Sequence, residues 1–520
     1  MKKEFDAHKE THWADRAASK IIAEKGDKKD YVCASGITPS GVVHIGNFRE
    51  IMTTYLVAQA LLHKKKKVRF IYSWDDYDAF RKVPADITKT WEQHLGLPLT
   101  AVPDPWKCHN SYAAHFKNKL EEEIAPFNFP VQFISQTQQY TSCVYAEEIK
   151  KALQDRNKIA SILNKFREEP LPEDWIPLEV FCTKCGKNDT RVLKYDENYL
   201  VHYECDCGNS EETDFRKKGN IKLLWRVDWP MRWHYEKVDF EPGGKDHSTA
   251  GGSFDTGKEI IKAVWSRDAP TYQMYDFVRV KGAGGKISSS AGNALTIRDV
   301  LEVYEPRIVL WMFANYRPNS EFAISFDLDV LKIYEDFDRC ERIHYGIEQP
   351  ENKGETEKQK RIYELSASKP QKTMPDQPTF RHLTMLTQIY EGDIKKATQG
   401  FKGDTIAMRA QCAWNWIKKY APDDMSFKIH ATITDEAKEM ISSSQRQALI
   451  LLRDRLKKKN FDDQALFNEF YAICDELKIK NTEFFEGAYL ALIGKRRGPK
   501  LTHLILAMDK KRLLTLLDQL

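Results

Sequence analysis

His44 and Asn47 stand three positions apart with Gly46 between them, in the string Val43-His44-Ile45-Gly46-Asn47. On a helix that spacing puts both side chains on one face of a single turn, and Gly46 leaves space beside them. A helix start has unpaired backbone N–H groups and the positive end of the dipole, so the natural guest there is a nucleotide phosphate. A second phosphate-directed string is Lys286-Ile287-Ser288-Ser289-Ser290, one cation with a run of hydroxyls between Gly282-Ala283-Gly284-Gly285 and Gly292. Such a loop delivers positive charge to a phosphate chain, the plainer alternative being a connector. Asp75, Asp76 and Asp78 offer carboxylates to a cation, or else cap a strand end. Cys182-Thr183-Lys184-Cys185 and Cys205-Asp206-Cys207 supply thiolates enough for tetrahedral zinc, and four protein ligands leave no open position, which makes the ion structural. The single spacer in the second pair leaves His202 open as a substitute ligand.

Strands and helices must hold these groups. Tyr31-Val32-Cys33-Ala34 reads as a buried strand, Ser35 to Gly41 as a turn cluster, Val42 to Leu62 as a helix and Val68 to Ser73 as a second strand. That is one βαβ unit of a parallel sheet. Val131–Ser135 is a further strand, and Lys237–Phe240 leads into Glu241-Pro242-Gly243-Gly244-Lys245-Asp246-His247 and a helix from Ser248. Strand, glycine turn and polar pair at a helix start thus occur again, as in the two halves of a doubly wound sheet with its ligand crevice at the strands' carboxyl ends. Tyr275–Lys281 reads as one more strand. The Arg191–Tyr203 stretch has the pattern of a β-hairpin that brings the cysteine pairs together. Trp225, Trp229 and Trp233 recur at helical spacing, but Pro230 argues against a regular helix. Beyond Leu295 the pattern is helical, with Gly346–Lys358 a polar linker and helices at Ala437–Lys459, Asp463–Leu477 and Phe484–Ile493.

Bulk properties narrow the class. The chain has 520 residues, 42% hydrophobic and 30% charged, which implies several soluble globular domains. No apolar run suits a membrane span or a signal peptide, so a cytoplasmic protein is expected. A net charge of +4 is no argument for nucleic acid, although residues 441–520 hold 15 Lys or Arg against 10 Asp or Glu. Either basic cluster there, Lys457-Lys458-Lys459 or Lys495-Arg496-Arg497, is a candidate for phosphate contact or a solvated surface.

In combination the strings resemble a family. Val43 to Asn47 resembles the His-Ile-Gly-His signature of class I aminoacyl-tRNA synthetases, and Lys286 to Ser290 resembles their Lys-Met-Ser-Lys-Ser loop. Ser35-Gly36-Ile37-Thr38-Pro39-Ser40-Gly41, Trp74-Asp75-Asp76-Tyr77-Asp78 and Trp225-Arg226-Val227-Asp228-Trp229-Pro230 are similar to the class I lysyl-tRNA synthetases. Asn47 stands where the signature has histidine, and Ser289 where the loop has its second lysine.

The resemblance implies an α/β fold: a Rossmann-type parallel sheet with a zinc-ribbon-like insertion, followed by an all-α C-terminal domain. Its expected limits are 1–167 and 236–295 for the two catalytic halves, 168–235 for the insertion, 296–350 for a helical stem-contact region and 351–520 for an anticodon-binding domain. It implies ATP with Mg2+, L-lysine and tRNA(Lys) as partners, and ligation through a lysyl-adenylate. His44, Asn47, Lys286, Ser288 and Ser289 become the expected catalytic residues, with Pro39, Gly41, Gly46 and Asp246 joining them around ATP. Gly36, Thr38, Trp225, His247 and Tyr275 are matched to the lysine pocket by resemblance; Asp75, Asp76 and Asp78 enter it on charge alone. Cys182, Cys185, Cys205 and Cys207 are the expected metal ligands. No membrane contact is expected; the oligomeric state stays open, with a monomer favoured. Two other readings stay open: a class I synthetase for glutamate or arginine, and a protein that binds tRNA without activating an amino acid.

Overall fold

The computed structural model describes residues 10–85, 87–281, 295–367, 371–403 and 405–520. Helix α1 (Trp13–Lys25) leads into strand β1 (Asp30–Ile37), helix α2 (Ile45–His63) and strand β2 (Lys67–Trp74). Helix α3 (Tyr112–Ile124), strand β3 (Val131–Ser135) and helices α4 (Gln136–Thr141), α5 (Ala146–Gln154) and α6 (Arg156–Asn164) follow. An antiparallel segment comes next, with β4 (Leu178–Val180), β5 (Thr190–Tyr195), β6 (Leu200–Cys205), β7 (Ser210–Asp214) and β8 (Ile221–Leu223). Helix α7 (Trp225–Tyr235), strand β9 (Phe240–Gly244), helix α8 (Ser253–Trp265) and strand β10 (Thr271–Tyr275) complete the alternating part.

Five of these strands make one parallel sheet in the order β10-β9-β1-β2-β3. From β1 the chain winds out through β2 to β3, then returns to the other side of β1 for β9 and β10. The winding direction reverses between β1 and β9, and such a reversal opens a crevice at the strands' carboxyl ends. Residues 38–41, 75–78 and 245–247 leave the sheet there. The sheet is tight at this point: a Cβ on Gly36 of β1 would come within 2.7 Å of the Ser73 carbonyl on β2.

Helix α2 is buried on nearly every side, from Ile45 and Phe48 to Leu61, as expected for a helix under a parallel sheet. In the insertion β4 pairs with β8, and β5-β6-β7 form a three-stranded antiparallel sheet. Helix α7 is continuous through Pro230, contrary to the expectation from sequence. Proline there costs about 3 kcal/mol. Burying Val227, Trp229, Met231 and Trp233 on the same helix contributes about 2 kcal/mol each and outweighs it.

Tyr275 closes β10 instead of opening a strand; the next strand, β11 (Val278–Val280), pairs in parallel with β12 (Phe322–Ile324). Lys286, Ser288 and Ser289 lie outside the described residues.

The chain divides into two compact units, the first Met1–Val300, Pro306–Ile324 and Gly346–Pro370, the second Leu301–Glu305, Ser325–Tyr345 and Gln371–Leu520. Within the first, the expected linker at 346–358 gives way to a helix, Lys353–Ser366, begun by the Asn352 side chain accepting the Gly354 N–H. In the second, all-helical among the described residues, Ser442 and Gln445 cap each other reciprocally and split the expected helix at 437–459 into Asp435–Met440 and Ser443–Lys458. Buried Arg409 holds Glu305 at 2.7 Å and Asp338 at 2.9 Å at its centre. Its basic clusters are largely answered from within. Lys457 pairs with Asp518 at 2.8 Å, Lys459 with Glu469 at 3.4 Å and Lys500 with Asp463 at 2.7 Å, while Arg496 pairs with Glu486. Lys495 donates to the carbonyls of Asp423 and Ser426. No described helix is long and apolar enough to cross a membrane.

Candidate active site

The start of α2 is built around a histidine cap. His44 Nδ1 accepts the backbone N–H of Gly46 at 3.1 Å and of Asn47 at 3.3 Å, and Asn47 Oδ1 accepts the His44 N–H at 3.3 Å. The Ile45 N–H goes to the Leu295 carbonyl at 2.9 Å, and that of Phe48 to the His44 carbonyl at 3.2 Å. The unpaired N–H groups expected from sequence are therefore absent from this turn, because a histidine at the cap position satisfies them itself. For a phosphate this turn offers the helix dipole and the side chains of His44 and Asn47. With Nδ1 an acceptor, the neutral ring carries its proton on Nε2; with its carbonyl oxygen engaged, Asn47 presents its amide N–H groups. Gly46 is required beside them, since a Cβ would lie 2.8 Å from the His44 ring. His44 also forms a lone antiparallel bridge with Thr296, so residues just after the lysine-serine loop are fixed to the start of α2.

At the sheet's carboxyl edge the acids divide into two kinds. Asp75 is held by Arg232 at 2.6 Å, and Arg232 also lies 3.2 Å from Asp228 and over the Trp225 ring. Asp78 pairs with Lys222 and accepts the Thr38 hydroxyl at 3.0 Å; that cation, although burial works against it, holds its carboxyl below the usual range. Asp76 is fully buried and faces β3, taking Lys117 at 2.6 Å, the Ser135 hydroxyl at 2.7 Å and the Thr137 N–H at 2.8 Å. For Asp76 the strand-end reading holds, and it does not reach the crevice with Thr38 and Asp78.

Among the described residues, no cation is bonded to Glu50 or Glu241. Glu50 Oε1 accepts the Gly36 N–H at 3.0 Å and Oε2 the Tyr275 hydroxyl at 2.8 Å. Desolvation lifts its acid to about 8; these two bonds oppose the shift, and the charges of Glu241 and Asp75 add to it. Glu241 accepts both indole N–H groups of Trp229 and Trp233, and desolvation lifts its acid to about 7. Gly36, Thr38, Glu50, Trp225, His247 and Tyr275 are all half-buried, the condition of groups lining a crevice. Trp225 stacks on Trp229 with centroids 5.3 Å apart, and the His247 ring lies 5.7 Å from Trp229. An apolar wall beside an acid without its own cation accommodates a ligand with a hydrocarbon stem and a positive end.

Sequence reasoning missed Glu50. Its signal was there: Arg49 and Glu50 are the charged residues of an otherwise uncharged stretch from Ile45 to Leu62, and Glu50 lies three positions after Asn47 on the same helix face. Arg49 is accounted for by the carbonyls of Phe277, Arg317 and Ser320.

Among the described residues, two groups of side chains have the composition of metal sites. The sulfurs of Cys182, Cys185, Cys205 and Cys207 all lie within 4.8 Å of one another, with Cys182 to Cys207 at 3.7 Å and Cys185 to Cys205 at 3.6 Å. A tetrahedron with metal–sulfur bonds of about 2.3 Å has edges of about 3.8 Å. Gly186 and Gly208, at φ +78° and +80°, turn the chain just after each pair. His202 instead meets Ser210 at 3.0 Å, so the second pair serves without it. The other group was not expected. Asp104, Cys108, His109 and His115 also bring their ligand atoms within 4.8 Å, Cys108 Sγ lying 3.1 Å from His109 Nδ1 and 3.2 Å from His115 Nδ1. Its mixed residue types hide it from a search for paired cysteines.

A family model described as tRNA synthetases class I (K) matches residues 11–369, and one described as an anticodon binding domain matches 417–519. The chain is 47% identical over 510 residues to the lysine–tRNA ligase of Borreliella burgdorferi, covering 96% of this chain and 97% of that one. To the lysine–tRNA ligase of Pyrococcus furiosus it is 43% identical, with 96% and 98% covered. The corresponding enzyme of Treponema pallidum is 43% identical, with 97% and 98% covered.

Proposed function

The chain belongs to the class I tRNA synthetases of the lysine type, and from that premise we infer that it attaches L-lysine to tRNA(Lys) through a lysyl-adenylate, in translation. The observation that carries the choice of amino acid is Glu50: a half-buried carboxyl whose hydrogen bonds come from two neutral donors, the Gly36 N–H and the Tyr275 hydroxyl. The ε-ammonium of lysine supplies the missing cation, and the aromatic wall covers its stem. Glutamate would bring a carboxylate to a poorly solvated acid that gives it no cation to pair with, which counts against a glutamate enzyme.

In the first step a carboxylate oxygen of lysine attacks the α-phosphorus of ATP; the bond to the bridging oxygen breaks and pyrophosphate leaves. In the second, a terminal ribose hydroxyl of the tRNA attacks the activated carbonyl, loses its proton, and AMP leaves. Neither step needs a protein nucleophile, so the chain contributes position and charge. His44 Nε2–H and the Asn47 amide donate to the triphosphate, with Pro39, Gly41 and Gly46 shaping the turn around it and Asp246 accepting from the ribose. Lys286 brings positive charge to the leaving pyrophosphate, and the Ser288 and Ser289 hydroxyls donate hydrogen bonds to it. Mg2+ accompanies ATP and draws charge from its phosphate oxygens.

Gly36, Thr38, Glu50, Trp225, His247 and Tyr275 bind lysine; Asp75 and Asp78, each with its own cation, keep the field acidic, and Asp76 is left out of the set. Zinc on Cys182, Cys185, Cys205 and Cys207 holds the insertion, and a second ion on Asp104, Cys108, His109 and His115 holds the loop before α3. Both are structural, since each has a full set of protein ligands. The helical unit that follows residue 370, matched over 417–519 by the anticodon binding domain, reads the anticodon, the stem-contact region expected at 296–350 meets the tRNA stem, and the protein works in the cytoplasm.

The test is ATP–pyrophosphate exchange with each of the twenty amino acids, with and without bulk tRNA. Exchange with lysine and no other is the expected result. Folded protein that binds tRNA and exchanges with nothing would make it a binding module instead.

A further inference from the structure

Glu241, the second residue of β9, takes part in neither step above, yet both of its oxygens are committed to one helix. Oε1 accepts the Trp229 indole N–H at 3.0 Å and Oε2 that of Trp233 at 2.6 Å. The two tryptophans sit one turn apart on α7, so a single carboxylate fixes how both rings are rotated about their side-chain bonds. The rings differ in what else holds them. Trp233 is 1% exposed and so closely packed on α8 that a Cβ at Gly257 would come within 2.9 Å of it. Trp229 lies one layer nearer the crevice, stacked at 14° on half-buried Trp225 and 5.7 Å from His247. Packing settles the Trp233 ring, while Trp229 carries the stack onto Trp225, over whose ring Arg232 also lies.

We infer that Glu241 is a positioning residue of the amino acid site: its bond to the Trp229 indole sets the plane on which Trp225 stacks, and so the wall that the substrate side chain lies against. The inference rests on the proposed lysine pocket for its kinetic consequence, while its structural consequence is independent of substrate.

Glu241→Gln tests it, because a carboxamide accepts one indole N–H through its oxygen and opposes the other with its own N–H groups. The expected result in lysine-dependent pyrophosphate exchange is a rise of about tenfold in the lysine KM, with the ATP KM and kcat within about twofold. Adding Trp233→Phe removes the opposed donor and leaves the amide oxygen for Trp229; the lysine KM should return to within about threefold of the parent. Adding Trp229→Phe instead should not restore it. In 15N-tryptophan-labelled protein without substrate, the Trp229 indole proton, assigned by its loss in Trp229→Phe, should move upfield in Glu241→Gln and return with Trp233→Phe.

Equal recovery in both double variants would overturn the inference, as would equal changes in both KM values and kcat together with a lower Tm. So would an indole resonance that ignores the substitution. Should the parent exchange with no amino acid while the resonance behaves as described, the lysine reading fails and the positioning of the wall stands.

Discussion

Glu50 and Tyr275 meet at 2.8 Å across 225 positions of sequence, joining the helix after β1 to the last strand of the sheet. Glu50→Gln keeps the shape of that contact and removes the charge. The expected outcome is a loss of about 10² or more in kcat/KM for lysine in pyrophosphate exchange, because an ammonium would then face a neutral amide in a poorly solvated place. The ATP KM should hold.

The same carboxyl predicts a pH dependence. With its acid lifted to about 8, chiefly by desolvation, Glu50 is protonated in the resting enzyme at neutral pH, and lysine binding must expel that proton. The lysine KM should therefore fall as pH rises from 6 to 8, by up to about tenfold per unit, and level off above. For folding the sign is opposite. An acid raised in the folded state gives stability that is full below its unfolded value and is lost as pH climbs through the folded one. The free protein should lose stability over that window, so that the Tm increase on adding lysine is larger at pH 8 than at pH 6.

At the other end of the crevice, capping and phosphate contact can be separated. His44→Asn preserves a favoured cap and deletes the imidazole, so Tm should change little while adenylate formation drops about 10². His44→Ala should lose the same activity and also about 1 kcal/mol of stability. Gly46→Ala should act through the ring, since the added carbon would sit 2.8 Å from it; a raised ATP KM with lysine KM unchanged is the expected signature. Steady-state kinetics with thermal melts distinguishes the three.

Metal content distinguishes the two clusters. Elemental analysis of the purified chain should give about two zinc ions, falling to about one in either Cys207→Ser or Cys108→Ser. His202→Ala should retain both, because His202 is turned to Ser210. Chelation should lower Tm, since the metal contributes its binding energy to the folded loops.

Local pattern made the β1-α2-β2 unit, its partial repeat at β9 and the cysteine pairs legible, because turn residues, helical periodicity and ligand spacing all act within a few positions. What escaped was decided across the sheet or by one unusual side chain. Glu50 has meaning only once the strand order brings Tyr275 beside α2. The paired N–H groups at the helix start follow from an imidazole turned back on its own turn, which periodicity does not reveal. Pro230 misled because its penalty is local while the burial that overcomes it comes from neighbouring elements. Asp76 could not be told from Asp75 and Asp78 by charge, and only the position of Lys117 and Ser135 separates it.

The paired basic groups of the helical unit bear on how it would meet a polyanion. Lys457, Lys459, Arg496 and Lys500 already face carboxylates. A phosphate that engaged one of them would displace a protein acid and not a mobile anion, leaving that acid to gather a cation of its own. Fewer ions would be released per contact than the Lys and Arg count implies, and the attraction would fade more gently with ionic strength. Recognition on such a surface is shifted from bulk charge toward shape and stacking, as suits a reader of unpaired bases.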